Sequence, residues 1–76
     1  MRELLEFVAR EIVDDPDAVE VTESEDERGT LLSLRVAPDD MGKVIGRAGR
    51  TARAIRTVIK AAAIRSGARV AVEIVE

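Results

Sequence analysis

The chain has 76 residues, enough for one domain, and its apolar side chains are almost all aliphatic: Phe7 is the only aromatic, and there is no cysteine or histidine. Those absences exclude disulfides, thiolate metal sites and nucleophile–histidine catalysis, and a single aromatic nearly excludes the stacking of bases on aromatic rings. The formal charge of −3 divides by position: residues 1–40 carry 13 acidic and 4 basic side chains, residues 41–76 carry 2 acidic and 8 basic, and no acidic residue falls between Met41 and Val72.

In chain order, "LLEFVAREIV" places Leu4, Leu5, Val8 and Ile12 at amphipathic-helix spacing. The "DDPD" segment ends that helix, since Pro16 disfavours helix at Asp15. Val19 and Val21 alternate with Glu20 and Thr22 as in a strand with one solvated face. The charged "ESEDERG" then reads as a hairpin loop. Leu32, Leu34 and Val36 alternate with Ser33 and Arg35 in a second strand, which Pro38 closes. Asp39 and Asp40 sit where carboxylates favour a helix N-terminus. A short helix follows, with Met41, Val44 and Ile45 on one face and Lys43 pointing away, and it stops near Gly46.

A long helix runs from about Arg50 to Ser66, with Gly67 as its C-terminal cap. At about 100° per residue, Arg50, Arg53, Arg56 and Lys60 gather within roughly 60° of one pole, and Ile55, Val58, Ile59 and Ala62 gather around the opposite one. Ile64 is the exception, landing among the basic residues, where it marks either a partner contact or a frayed last turn. Val70, Val72 and Ile74 alternate as a third strand. The resulting order, αββααβ, predicts an α+β fold: a single domain over residues 1–76, with three helices on one face of a three-stranded sheet.

Gly46 and Gly49 each cost about 1 kcal/mol relative to alanine in a helix interior, so their place between two helices implies a tight corner. The N–H groups and positive dipole end of the second helix open there, and Lys43, Arg47, Arg50 and Arg53 flank the corner in sequence. Phosphate is the guest that such a corner suits. The spacing G-x-x-x-G-x-x-G after a helix matches neither a Walker A loop nor a dinucleotide fingerprint.

The stretch "VIGRAGRTARAI" resembles the I-G-x-x-G signature of KH domains, in which a GXXG loop between two helices clamps the backbone of a four-nucleotide single strand. Taken with the αββααβ order, which is that of the type II arrangement, the chain is similar over nearly its whole length to the small bacterial KH RNA-binding proteins of the KhpA (YlqC) family. The resemblance implies a cytoplasmic, single-stranded-RNA-binding protein or RNA chaperone, acting as a homodimer or with a second KH protein of the KhpB (Jag-like) type. No enzymatic activity, cofactor or small-molecule substrate is expected, since the basic half offers no residue suited to acid–base or nucleophilic chemistry at neutral pH. The absence of any apolar run long enough to span a bilayer, and a charged start unlike a secretory signal, predict a soluble protein.

The RNA-binding residues expected on this reading are Lys43, Gly46, Arg47, Ala48, Gly49, Arg50 and Arg53 for the phosphates, and Val44 and Ile45 for an aliphatic floor. Ser33 to Arg35 on the second strand, Arg35 above all, are the candidates for contacts to base edges. The competing expectation is a KH-shaped protein-interaction or dimerisation module whose groove is idle, with Ile64 in the interface. A blander reading of the charge division also stands: the acidic half simply neutralises the basic half.

Overall fold

A computed structural model describes all 76 residues. Helix α1 (Arg2–Ile12) leads through a 3-10 turn at Pro16–Ala18 to strands β1 (Glu20–Asp26) and β2 (Gly29–Arg35). After a second 3-10 turn at Pro38–Asp40 come α2 (Met41–Ile45), a third turn at Arg47–Gly49, α3 (Arg50–Arg65) and β3 (Val70–Val75). The sheet order is β1-β2-β3, with β1 antiparallel and β3 parallel to the central strand. This is the expected α+β arrangement. A parallel neighbour requires a crossover, and α2 and α3 supply it.

The core forms where the helices meet the sheet. Leu5 and Ala9 of α1, Leu32 and Leu34 of β2, Val44 of α2 and Ile55 and Ile59 of α3 are all buried in one cluster. Leu32 and Leu34 are wholly enclosed because β2 has a strand on each side and helices above it. The alternate residues of β2 face the other way: Ser33 stands in a row with Thr22 and Glu73, and its Oγ donates to Glu73 Oε1 at 2.8 Å. That face of the sheet carries no helix. No helix of the chain is long and apolar enough to cross a membrane.

Two expectations are corrected. The "ESEDERG" stretch is mostly strand: β1 continues to Asp26, which pairs with Gly29, so only Glu27 and Arg28 form the turn. The Asp26 carboxylate accepts the Arg28 N–H at 2.7 Å and tightens it. Beyond Val21, β1 is an edge strand exposed to water, so strand pairing needs no apolar alternation there, and its charges protect the open edge.

On α3 the buried stripe is Ala52, Ile55, Ile59 and Ala63, not the predicted set containing Val58 and Ala62. Val58 is 47% exposed. At Pro16 the chain begins a 3-10 turn, for which proline at the first position is preorganised.

Candidate functional site

The corner between α2 and α3 is built by residues whose backbones lie outside ordinary helical space. Gly46 ends α2 at φ 74° and ψ 172°, while its N–H still donates to the Gly42 carbonyl at 2.9 Å. Ala48 (φ 56°) and Gly49 (φ 74°) are both left-handed, and the Gly49 N–H closes the turn on the Gly46 carbonyl at 3.2 Å. The two glycines serve different ends. A Cβ on Gly46 would collide with Thr51, whereas a Cβ on Gly49 would meet nothing and only its positive φ demands glycine.

Helix α3 starts at this corner with Gly49 as its N-cap, without a side-chain cap and without an acidic residue in its first turn. Its positive end therefore opens beside the loop. Arg47, Arg50 and Arg53 stand around it, all exposed. The chain forms one ion pair, Lys43 Nζ to the Asp14 carboxylate at 3.2 Å. None of the three arginines has a carboxylate within 4 Å, so contact between the acidic and basic halves is confined here to Lys43 and leaves these arginines without ion pairs. A site of concentrated, uncompensated positive charge around a helix N-terminus attracts polyanions.

The remaining predicted residues divide. Ile45 is 41% exposed and offers aliphatic surface beside the loop, but Val44 is fully buried and belongs to the core. Arg35 alternates with the buried Leu34 and Val36, so it lies on the helix-free face of the sheet, away from the loop. The strand beside the basic face of α3 is β3. Arg56, predicted as part of that face, turns its Nε toward β3 and donates to the Val72 carbonyl at 3.2 Å. The strand edge beside the basic face of α3 therefore comes from β3 rather than β2.

One residue of the site escapes sequence reasoning. Asp40, 3% exposed, is the only buried charged side chain. It does not cap α2, as its position suggests; its two carboxylate oxygens accept the backbone N–H groups of Asp14 and Asp15 at 3.2 and 3.1 Å. Asp40 thereby ties the end of α1 to the start of the short helix that carries the loop, and the Lys43–Asp14 pair reinforces the same junction.

Comparison with known proteins matches residues 2–74 to the family model described as "KhpA/KhpB, KH domain". Among curated relatives, an RNA-binding protein KhpA of Clostridium acetobutylicum is 57% identical over 75 residues, covering 99% of this chain and all of the relative. The KhpA of Caldanaerobacter subterraneus is 53% identical over the same coverage. That of Aquifex aeolicus is 46% identical over the full chain and 96% of the relative.

Proposed function

The chain belongs to the KhpA/KhpB family of KH domains, and we propose that it binds single-stranded RNA at the Gly46–Gly49 corner, as a small cytoplasmic RNA-binding protein or RNA chaperone. The observation that carries this reading is the glycine-bounded loop, with positive φ at Gly46, Ala48 and Gly49, opening at the N-terminus of α3, together with Arg47, Arg50 and Arg53, none of which has a carboxylate within 4 Å. Consecutive phosphates lie against the loop and the first turn of α3, where the bare backbone lets them approach and the arginines add charge-assisted hydrogen bonds. Lys43 joins them by exchanging Asp14 for a phosphate.

Bases then extend over Ile45 and toward the edge of β3 next to α3. Phosphate contacts hold the strand in register and base contacts select sequence. An aliphatic surface without aromatics selects weakly, so binding by one copy is salt-sensitive and tolerant of sequence. The role proposed is binding and not turnover, since a chain with no histidine or cysteine has no usual general base or thiol nucleophile to place beside the loop. Titration of 15N-labelled protein with a short single strand tests the reading. Amide shifts concentrated at residues 45–53 and along β3 support it; shifts confined to β1 or to the helix-free face of the sheet contradict it.

A second reading has its own support. Val58, 47% exposed, lies with the exposed Ala54 and Ala61 on one side of α3, an apolar strip that folding of the single chain leaves uncovered. It suits association with a second KH chain, as a homodimer or with a KhpB (Jag-like) partner, which adds avidity to a weak single site. Static light scattering of the wild type against Val58→Lys tests it: a dimer mass that falls to the monomer value supports association, and a monomer mass in both contradicts self-association.

A further inference from the structure

At the far end of α3 from the loop lies a concavity of about 270 Å³ lined by Lys60, Ala63, Ile64, Ala68, Arg69 and Val70. No carboxylate borders it, and neither Lys60 nor Arg69 has an acidic partner within 4 Å. Ile64 is 66% exposed at its edge, a large aliphatic side chain on an otherwise basic helix face. We propose that this concavity is a second nucleotide subsite, which takes a nucleotide of the same single strand beyond those held at the loop. The inference rests on the RNA-binding reading given above.

Three observations carry it. The first is continuity. Lys60 lies roughly 20° from Arg53 around the helix and about 10 Å further along it, so one row of cations leads from the loop to the concavity.

The second is preformation. The Gly67 N–H donates to the Ile64 carbonyl at 3.0 Å and the Ala68 N–H to the Ala63 carbonyl at 2.9 Å, the paired bonds of a Schellman motif. The wall that joins α3 to β3 is therefore ordered by the chain itself.

The third is chemistry. Ala63, Ala68 and Val70 form a small apolar floor that leaves room for a flat base, Ile64 offers a face to pack on it, and the Arg69 guanidinium supplies a plane of the kind on which bases stack. Lys60 and Arg69 flank the opening, where a phosphate would sit. The neighbouring hollow on the other side of Arg69 includes Asp26 and lacks this purely cationic rim.

The test is a fluorescence-anisotropy comparison of a four-nucleotide single strand with one of about eight nucleotides. The proteins are the wild type, a Lys60→Gln, Arg69→Gln variant, and a control with the same loss of charge elsewhere, Arg10→Gln, Arg65→Gln. One added stacked base gives about a tenfold gain in affinity for the longer strand. The subsite predicts that the Lys60, Arg69 variant loses most of that gain while binding the short strand within about twofold of wild type, and that the control keeps the gain. Retention of the gain by the Lys60, Arg69 variant, an equal loss for both strands, or no gain in the wild type overturns the subsite while leaving binding at the loop standing. Failure of the wild type to bind either strand overturns both.

Discussion

A Cβ placed on Gly46 would lie 2.8 Å from both the Cβ and the backbone nitrogen of Thr51. The first glycine of the loop is therefore constrained twice, by its positive φ and by a helix backbone pressed against it; Gly49 is constrained by φ alone. Gly49→Ala should cost about 1–2 kcal/mol, the ordinary penalty for an L-residue in left-handed space. Gly46→Ala should cost more than about 2 kcal/mol, because Thr51 must also move. Urea unfolding at equal slope measures the difference, and equal midpoints for the two variants would contradict the close approach.

Ala48 sits in the same left-handed region at φ 56° although it carries a Cβ. Ala48→Gly should therefore raise stability by about 1 kcal/mol, the reverse of the usual effect of introducing glycine. A lower thermal midpoint for Ala48→Gly would show that the residue is not held there in solution. Aspartate tolerates left-handed backbone better than most residues, so Ala48→Asp is expected to keep its fold.

The junction at Asp40 gives a third prediction. Asp40→Ala removes the acceptor of two backbone N–H groups and should destabilise the chain by about 1–3 kcal/mol. Hydrogen exchange of the Asp14 and Asp15 amides should accelerate by more than the global loss of stability accounts for. Unchanged protection at those two amides would remove Asp40 from its role in tying α1 to α2.

Lys43 and Asp14 form a pair between exposed side chains, so its breakage should change stability by less than about 0.5 kcal/mol. Its effect on binding should be larger than on folding. Asp14→Asn frees Lys43 for phosphate and removes a like charge from the approach of the strand, giving an affinity gain of about two- to threefold at low salt that fades as salt screens it. A gain that persists at high salt, or a loss, would contradict this reading.

The fold was largely readable from residue patterns because its elements are marked by local chemistry. Alternating Leu32, Leu34 and Val36, the αββααβ order and the glycine pair between two helices all survive in the structure. What was missed has specific causes. The stripe of α3 was misplaced because Ala52 and Ala63 weigh little in a hydrophobic pattern while Val58 weighs much, yet close helix packing selects the small residues. The length of β1 was hidden because an edge strand in water needs no apolar face.

At the site, the loop and its arginines were legible as a local motif. Arg35 alternates with the buried Leu34 and Val36 and is turned from the helices, and the parallel crossover places β3, not β2, beside the basic face. Asp40 was unreadable in principle, since its partners lie 25 and 26 residues away and a lone carboxylate before a helix reads as a cap.

On the proposed function, the Gly46–Gly49 corner is a nucleic-acid clamp. Its most direct test is fluorescence-anisotropy titration of a short single-stranded RNA at two salt concentrations, with the wild type and the Arg47→Asp, Ala48→Asp variant, both shown to be folded by circular dichroism. The clamp predicts wild-type binding that weakens as salt rises and at least tenfold weaker binding by the folded variant, since two carboxylates at the loop repel the phosphates that the helix N-terminus attracts. Equal binding by the two proteins would contradict it and place the RNA elsewhere on the chain.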